Sequence, residues 1–431
     1  MMERVRDEGN ISRLESLFDR YRGIIPKEVL VKEDVLLKGL NFSEEALKVE
    51  YQEKAYYLFT FDPDKPEVVK RRARIVPQEI RISGGIWGLR PTIIQSRHSS
   101  NSPYTVGLMD GKKVLLLDGI PVAEVEFARR PVYYGTRLSN GMAVEEVAPA
   151  IYWGETADVT AFRICEYWGI GGQCKFCDIN ENFKAWGGLR EGVGAVVPKG
   201  LVAEAVSIAS EDQGVKRYLI TGGSIMDGKK EAQFYLGYIQ AVEERLSRRI
   251  PARLNTQALP PETLGKFYEA GVDYYHPNLE VWDPKLFSLI SPGKDRLIGR
   301  NEWIRRTLEA VKVFGVGNVS PNFVAGIEMA YSDNFPYGFR RVEDAVKSTA
   351  EGIEFLMSKD VVPKFDTWGL EPLSWFGRAG VTPPPLEYYA ELYVKYLELK
   401  VRYGLPWPKG LGEAGPGISK SPATGFMDMD K

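Results

Sequence analysis

The sequence is poor in the residues that most often bind transition metals, with three cysteines and two histidines among 431 residues. No apolar run approaches the roughly 18–20 residues of a membrane span. The formal net charge is −2, so the chain lacks the positive charge that attracts nucleic acids and anionic membranes. Residues 1–8 are rich in charge and do not resemble a secretory signal. We therefore expect no nucleic-acid partner and no membrane partner. Reduced cysteines at metal-ligand spacing favour the cytoplasm.

All three cysteines lie in one short stretch, as Cys165, Cys174 and Cys177, with the spacing C-x8-C-x2-C. Three thiols cannot all pair as disulfides, and a structural zinc ion usually takes four Cys or His ligands. Zinc would therefore need His98 or His276 as a fourth ligand. Three thiolates suit a [4Fe–4S] cluster in which one iron stays open to a ligand that is not protein. The spacing favours an iron–sulfur cluster over zinc, and inert buried thiols are less favoured still.

Residues 1–60 are predicted to be mainly helical. Apolar residues at helical spacing predict a first helix within residues 13–21, and Pro26 begins a second. Residues 41–43 resemble a helix cap followed by acidic residues, which predicts a third helix through about residue 57.

Residues 61–156 are predicted to be rich in β-structure. Asp110-Gly111 and Asp118-Gly119 separate three runs of strand-forming residues, and this is the strongest short-range signal for hairpins. We therefore predict an antiparallel meander. Three roles remain open for the whole region before the cysteines: a cap over a substrate site, a docking surface for a partner, or additional scaffold.

From about residue 157, strand and helix patterns alternate six times. The predicted strands are residues 159–164, 216–221, 252–255, 274–281, 319–325 and 361–366. The predicted helices lie near residues 201–210, 231–245, 261–270, 302–314, 342–357 and 386–403. Six successive βα units imply a parallel sheet with right-handed crossovers. We predict an α/β fold with a partial (β/α)6 TIM-like barrel over residues 157–405. The Gly- and Pro-rich residues 406–431 predict an extended or mobile tail.

The residue before the last cysteine is aromatic, Phe176, and this Cys-x-aromatic-Cys ending resembles the cluster loop of the radical S-adenosylmethionine (SAM) superfamily. The commonest loop there is C-x3-C-x2-C, so the longer first gap of this chain is a departure. The resemblance extends over about residues 157–402 and includes the six-unit barrel. It implies a [4Fe–4S] cluster on Cys165, Cys174 and Cys177, whose open iron chelates SAM. It also implies reductive cleavage of SAM to a 5′-deoxyadenosyl radical that abstracts hydrogen from a substrate.

Further candidate residues follow the predicted strands, because the carboxyl ends of parallel strands meet on one side of the fold. Gly222, Gly223 and Ser224 stand where the superfamily has a Gly-Gly-Glu motif that holds the SAM amino group, with serine as a departure. Asn255 follows the third strand and is expected to reach a ribose or a carboxylate.

Later strands add candidates from the same resemblance. Glu280 ends an Asn-Leu-Glu run similar to that of the biotin synthase and [FeFe]-hydrogenase maturase branch, where the acidic residue lies near SAM. Arg296 and Arg300 are alternatives for binding the SAM carboxylate. Gly326 and Glu328 resemble a shortened form of the element that lies along the adenine.

Four other residues have a functional and a packing interpretation. Trp368 and Glu371, after the sixth strand, suit contact with an organic substrate or a packed lid. Tyr167 and Trp168, inside the cysteine loop, suit shielding of a cluster or packing of the loop.

The absence of further cysteines argues against an auxiliary cysteine-ligated cluster and against the dual-cysteine methyl transfer of RNA methylases. A small-molecule substrate, such as a cofactor or metabolite precursor, is therefore expected, with an electron donor of the flavodoxin or ferredoxin type. Two other interpretations stay open: a non-catalytic iron–sulfur accessory protein and a zinc-dependent TIM-like enzyme.

Overall fold

The structure, a computed structural model, describes residues 9–55, 62, 76–185, 194–413 and 421–429. The α-helices are α1 (Asn10–Arg20), α2 (Lys27–Lys38), α3 (Ile179–Ala185), α4 (Lys199–Glu211), α5 (Gly228–Arg245), α6 (Pro261–Glu269), α7 (Pro284–Ile290), α8 (Pro292–Leu297), α9 (Arg300–Phe314), α10 (Val342–Met357), α11 (Trp375–Arg378) and α12 (Leu386–Tyr403). The strands are β1 (Asn41–Phe42), β2 (Glu79–Gly84), β3 (Leu89–Gln95), β4 (Tyr104–Met109), β5 (Lys112–Leu117), β6 (Ile120–Phe127), β7 (Ala150–Ile151), β8 (Thr156–Phe162), β9 (Arg217–Gly222), β10 (Ala252–Thr256), β11 (Val272–Pro277), β12 (Asn322–Ala325) and β13 (Lys364–Thr367). Within the described ranges, no helix is both long enough and apolar enough to cross a membrane.

The first sheet has six strands in the order β1-β4-β5-β6-β2-β3. Only the β1–β4 pairing is parallel. Asp110, Gly111, Asp118 and Gly119 all have positive φ, as a type I′ hairpin turn requires at its two central positions. The predicted meander is confirmed, with its two turns at the two Asp-Gly pairs.

Six parallel strands, β8 to β13, form the wall of the barrel in chain order. A five-stranded sheet holds β8 to β11 with β7 antiparallel at its edge, and β12 pairs with β13. Isolated bridges from Tyr275 to Val319 and from Glu280 to Phe323 connect the two sheets. Among the described residues no pairing joins β13 to β8, so the barrel is partial, as predicted. Two apolar clusters stabilise the barrel. One joins α1, α2 and the first sheet to the second half of the barrel, and the other packs β8–β11 against α4–α6.

Residues near the C-terminus contact β13, the last strand of the barrel. The carbonyl of Ala423 accepts a hydrogen bond from the Thr367 amide at the end of β13, at 2.9 Å. The carbonyl of Pro422 accepts one from the Gln95 amide at the end of β3, also at 2.9 Å. The C-terminal segment therefore connects the barrel to the first sheet where the barrel itself does not close.

Buried charges on α2 hold this segment in place. Lys32 and Asp428 form an ion pair of 2.8 Å, and their side chains are 0% and 1% exposed. Glu33 accepts hydrogen bonds from the Thr367 hydroxyl, at 2.5 Å, and from the Gly425 amide. Because each charge has a partner, the helix can be buried despite its polar residues.

Of the predicted extended or mobile tail, the mobile alternative is wrong for residues 421–429. Phe426, Met427 and Met429 are at most 2% exposed and belong to the larger apolar cluster. The prediction relied on the low apolar content of the whole tail. A few apolar residues next to one buried ion pair are enough to anchor the tail.

Replacing Asp428 by alanine is expected to lower the free energy of unfolding by about 3–5 kcal/mol, because Lys32 would stay buried without its counter-charge. Denaturant titration would measure the change. Glu398→Ala is the matched control, since it removes the acid of a Lys395–Glu398 pair that is about half exposed and should cost about 0–1 kcal/mol. Equal losses in the two variants would contradict the anchoring role of Asp428.

The predicted third helix is also wrong within its described residues, 44–55. The Ser43 hydroxyl does accept a hydrogen bond from the Ala46 amide, as a helix cap would. The turn does not continue, because the Gln52 amide bonds to the Ala128 carbonyl and the Lys54 amide to that of Val76. Pairing with distant backbone overrides the local helix signal.

Candidate functional site

The cysteine loop begins three residues after β8 and ends at α3. Cys165 is followed by a 3-10 helix, Glu166–Ile170, and Gly171 reverses the chain with a φ of 61°. The Asn180 side chain fixes the start of the loop: its Oδ1 accepts from the Cys165 amide at 2.7 Å, and its Nδ2 donates to the Cys165 carbonyl at 3.3 Å.

The long gap between the first two cysteines is packed rather than loose. The Tyr167 side chain is buried, and its hydroxyl donates to Gln257 Oε1 at 2.7 Å. Gln257 in turn donates to the buried carboxylate of Glu231 at 2.9 Å. The Gly293 amide donates to the Gly172 carbonyl at 2.9 Å, and a Cβ on Gly293 would lie 2.4 Å from that oxygen. The close backbone approach explains why glycine occupies position 293.

The Gly222–Gly223 turn at the end of β9 runs directly against the start of the cysteine loop. A Cβ on Gly223 would lie 1.9 Å from the Ile164 carbonyl oxygen and 2.7 Å from the Cys165 Cα. The Ser224 carbonyl accepts from the Glu166 amide at 2.9 Å. This turn therefore positions Cys165.

The three thiols are close enough to affect one another electrostatically. Burial raises the pKa of Cys165 to about 12, and the charge of Cys174 adds to this effect. Burial also raises the pKa of Cys174 and that of Cys177. Burial therefore favours the protonated thiols, and a bound metal centre would favour their thiolate form.

The surroundings of the sulfurs fit such a centre. Backbone amides of Ser224 and Tyr167 are directed at the Cys165 sulfur, and that of Ile179 at the Cys177 sulfur. The Lys294 ammonium lies near Cys174 and favours its thiolate. Amide hydrogen bonds and a nearby cation stabilise the negative charge that a cluster and its thiolates carry.

A single zinc ion fits less well. Within the described parts of the chain, no three His, Cys, Asp or Glu side chains converge closely enough to hold one metal ion. His276 Nδ1 lies 3.0 Å from the Ser320 carbonyl, and Nε2 accepts from Arg253 Nε at 3.4 Å. His98 faces Asp62. A cubane cluster differs from zinc because each thiolate binds a different iron, so its ligands need not converge on one point.

A cavity of about 310 Å³ lies next to the cysteine loop, inside the barrel. It is lined by Glu79, Gln95, Ile151, Tyr152, Thr160, Phe176, Cys177, Asp178, Ile179, Thr221, Gly222, Asn255, Asn278, Glu280, Asn322, Val324, Asp366, Thr367, Trp368, Gly369, Glu371, Pro422 and Ala423. The strand ends of the barrel, the cysteine loop, the first sheet and the C-terminal segment all contribute to this wall.

The structure brings several of the sequence-predicted site residues together. Besides Cys177, six of them line the cavity: Phe176, Gly222, Asn255, Glu280, Trp368 and Glu371. The most constrained is Glu280, which is 8% exposed with a φ of 73°. Its carboxylate pairs with Lys294 at 2.8 Å. A positive φ in a non-glycine residue is costly and tends to occur at functional sites.

Other candidates lie outside the lining. Arg296 donates to the Ile170 carbonyl at 3.1 Å and so supports the cysteine loop. Arg300 donates to the Trp282 carbonyl at 2.7 Å and stacks on that indole at 4.2 Å. Tyr167 is buried within the loop, and Trp168 is half-buried.

Gly326 and Glu328 also have structural partners. Gly326 has a φ of 93°, and a Cβ there would lie 2.4 Å from the Pro384 side chain. Glu328 is buried and accepts from the amides of Trp282 and Asp283 at 2.8 and 2.7 Å. Neither residue lines the cavity.

Sequence reasoning missed several lining residues from outside the barrel strands, among them Glu79, Gln95, Tyr152, Pro422 and Asp178. Asp178 directly follows the last cysteine, so its place in the sequence could have identified it as a candidate site residue. Its carboxyl group lies beside that of Glu371, and burial together with this neighbouring charge raises its pKa well above the usual range. The other four are placed by long-range pairing, for which the sequence carries no local signal.

Glu79 makes the stability of the protein depend on pH. Its carboxylate accepts hydrogen bonds from the Tyr152 and Trp153 amides, yet burial raises its pKa from 4.5 to about 7. The folded protein keeps this proton to higher pH than the unfolded chain does. Stability should therefore fall as pH rises from about 4.5 to 7, by up to about 3 kcal/mol.

Glu79→Gln cannot ionise, so we expect its free energy of unfolding to fall less between pH 5 and pH 8 than that of the wild type. Urea titrations at the two pH values would measure the difference. Glu398→Gln, at an exposed position, serves as the control and should keep the wild-type pH dependence. The same pH dependence in Glu79→Gln as in the wild type would contradict the assignment.

The fold and the site together define an α/β protein with three thiols at the carboxyl ends of the strands, above an internal cavity. Residues 170–328 match the Radical SAM superfamily. The match covers less than half of the chain and shows similarity to the radical SAM enzymes, which use a [4Fe–4S] cluster and SAM and need a reductant.

Among curated proteins, the chain is similar to bacteriochlorophyllide c C-7(1)-hydroxylase of Chlorobaculum limnaeum, with 25% identity over 289 residues. The aligned region covers 62% of this chain and 65% of that relative, so the chain spans just under two thirds of the relative's length.

Three solved structures are similar over parts of this chain. Methylornithine synthase matches with 13% identity and a TM-score of 0.37, covering 58% of this chain and 69% of that one. The [FeFe]-hydrogenase maturase of Carboxydothermus hydrogenoformans matches with 16% identity and a TM-score of 0.39, covering 59% and 53%. Coproporphyrinogen III oxidase of Escherichia coli matches with 10% identity and a TM-score of 0.31, covering 48% and 43%.

Proposed function

We propose that Cys165, Cys174 and Cys177 bind the [4Fe–4S] cluster, and that the enzyme uses it to start hydrogen abstraction from a small molecule held in the barrel cavity. One observation carries the proposal: Cys177 lines the same cavity as residues from the ends of the barrel strands and from the loop after β13. A cluster on the three thiols would therefore face the space in which an organic ligand fits.

A cluster held by Cys165, Cys174 and Cys177 would supply the electron for reductive cleavage of SAM to methionine and a 5′-deoxyadenosyl radical. The residues of this chain hold and orient the reactants. Gly222 leaves room for close backbone approach to SAM. The Glu280–Lys294 pair and Asn255 offer polar atoms on the same side of the cavity as the cysteine loop.

The first sheet and the C-terminal segment form part of the cavity wall, where they would limit the entry of water. Glu79, Gln95, Pro422 and Ala423 all contribute to its lining. A radical reaction needs such exclusion, because side reactions of the intermediate are prevented only in a closed site. Of the three roles considered for the region before the cysteines, this arrangement favours the cap over the substrate site.

The cavity volume of about 310 Å³ is at the lower end of the range for small-molecule sites. We propose a small-molecule substrate, such as a cofactor or metabolite precursor. We also propose a cytoplasmic location and an electron donor of the flavodoxin or ferredoxin type, consistent with a cluster that must be kept reduced.

The test is anaerobic purification and cluster reconstitution, followed by incubation with SAM and dithionite and assay of 5′-deoxyadenosine. Brown protein with about four irons per chain that forms 5′-deoxyadenosine would support the proposal. Colourless protein with stoichiometric zinc would overturn it. A stable cluster without SAM cleavage, at any dithionite concentration, would favour an accessory iron–sulfur protein.

A further inference from the structure

Gln257 is a buried residue to which the proposed function gives no role. It directly follows β10, is 2% exposed, and does not line the cavity. Its side chain instead contacts two segments that meet at Cys165: the turn after β9 and the 3-10 helix of the cysteine loop. Gln257 is therefore placed to act on the cysteine loop through protein groups rather than on a ligand in the cavity.

Hydrogen bonds fix the orientation of the Gln257 amide. Its Nε2 donates to the Ile225 carbonyl and to the Glu231 carboxylate, both at 2.9 Å. Its Oε1 accepts from the Tyr167 hydroxyl at 2.7 Å. A flipped amide would place its oxygen against the two acceptors, Ile225 and Glu231, so one orientation alone makes all of these hydrogen bonds.

On one side, Gln257 stabilises the turn that carries Ser224. The Ile225 carbonyl accepts from Gln257, and the Ile225 amide donates to Glu231 at 2.6 Å. Both polar backbone groups of the residue after Ser224 are therefore held in place. The Ser224 amide itself is directed at the Cys165 sulfur, so the contacts of Gln257 stabilise the backbone that presents this donor.

On the other side, Gln257 holds Tyr167 by its hydroxyl group. The Tyr167 ring also packs against α8, because a Cβ on Gly293 would lie 2.8 Å from Cδ2 of that ring. The Tyr167 amide is the second backbone donor directed at the Cys165 sulfur. Gln257 thus connects the two segments whose amides donate to this sulfur.

We propose that Gln257 is a positioning residue for the cluster: it holds the two amides that donate to the Cys165 sulfur, and so makes the cluster easier to reduce. Hydrogen bonds to the sulfurs stabilise negative charge, which grows when a cluster gains an electron, and they therefore raise its reduction potential. This inference rests on the proposed function, since it concerns the cluster of that site. It also gives the long first gap of the cysteine motif a role, because Tyr167 lies within that gap.

The test is the reduction potential of the reconstituted protein, measured without SAM by redox titration followed by EPR spectroscopy. Gln257→Met keeps the length of the side chain but makes none of its hydrogen bonds. We expect the equilibrium constant for cluster reduction to fall about tenfold in this variant, a shift of ~59 mV to lower potential for a one-electron couple. Tyr167→Phe removes only the hydroxyl and should lower the potential by a smaller amount, because the contact of Gln257 with Ile225 remains. An unchanged or higher potential in Gln257→Met overturns the inference.

The double variant tests whether the two residues act together. In the Gln257→Met background, Tyr167→Phe should cause no further shift, because the hydroxyl has already lost its acceptor. Additive shifts would mean that the tyrosine acts on the cluster independently of Gln257, and they overturn the connection proposed between the two amides. If Gln257→Met does not fold or does not hold a cluster, the potential of Tyr167→Phe decides alone.

Gln52→Met is the matched control, since it makes the same change at another buried glutamine. Gln52 is 0% exposed, and its Nε2 donates to the Ala150 carbonyl of β7 rather than to the cysteine loop. It should keep the wild-type potential, and an equal shift in this variant overturns the inference. Iron content and 5′-deoxyadenosine formation of the wild type separate the two proposals. A wild type without a cluster contradicts both, whereas a wild type that cleaves SAM, with an unchanged potential in Gln257→Met, contradicts this inference only.

Discussion

Cys174→Ala is expected to lose iron binding and SAM cleavage together, with the rate of 5′-deoxyadenosine formation falling more than about 100-fold. The expected loss exceeds the 10–100-fold typical of groups that only support a metal ligand, because this variant removes a ligand itself. The remaining thiols, Cys165 and Cys177, are stabilised as protonated groups by burial, so two of them alone are a poor metal site. Iron content, the visible absorption of the cluster and the product assay measure the effect.

Gln173→Ala is the control for disturbance of the loop, since Gln173 adjoins Cys174 in sequence without offering a thiol. It should keep most of the iron and of the activity. A Cys174→Ala enzyme that still holds a full cluster and cleaves SAM would mean that the ligand lies elsewhere. Equal losses in both variants would mean that loop folding, and not ligation, explains the result.

The barrel could be predicted from sequence because its signals are local. Each strand from β8 to β13 is a short run of apolar and β-branched residues followed by an amphipathic helix, and each was predicted within a few residues. The cysteine spacing is likewise local, so the cluster loop was accessible without a structure. The positions of Asn255 and Glu280 at the cavity follow from their place at or just after the ends of parallel strands, and that of Phe176 follows from its place in the cysteine loop.

The other half of the cavity wall could not be predicted in this way. Glu79 reaches it through pairing of β2 with β3 and β6, and Pro422 reaches it through one backbone hydrogen bond to Gln95. The buried Lys32–Asp428 pair joins residues 396 positions apart. None of these contacts produces a periodic pattern in the sequence, because each depends on how elements that are far apart along the chain pack together.

The arginine candidates illustrate the same limit within the barrel. Arg296 and Arg300 follow the fourth strand, where the resemblance places a residue that binds the SAM carboxylate. In the structure, Arg296 donates a hydrogen bond to the Ile170 carbonyl, and Arg300 stacks on the Trp282 ring. The cation that faces the cavity wall at this point is Lys294, paired with Glu280. Which cation binds the SAM carboxylate stays a prediction, because the order of residues along the chain does not tell which of these side chains reaches the cavity.

Gly223→Ala is expected to prevent assembly of the cluster although it changes no ligand. The added Cβ would lie 1.9 Å from the Ile164 carbonyl oxygen and 2.7 Å from the Cys165 Cα. Both are backbone atoms, so no side-chain rotation can relieve the contact, and the start of the cysteine loop must move. We expect the free energy of unfolding to fall by about 1–3 kcal/mol and iron incorporation to fail.

Gly237→Ala makes the same chemical change within α5, where a Cβ would have nothing within 4 Å. It should raise stability by up to about 1 kcal/mol, because alanine is the better helix former, and should leave the iron content unchanged. Iron content per folded protein, measured after reconstitution in both variants, separates loss of the site from loss of the fold. Gly223→Ala protein with a full cluster would show that the strand-end turn does not position Cys165, and that the fit of the loop comes from the Tyr167–Gln257 and Gly172–Gly293 contacts alone.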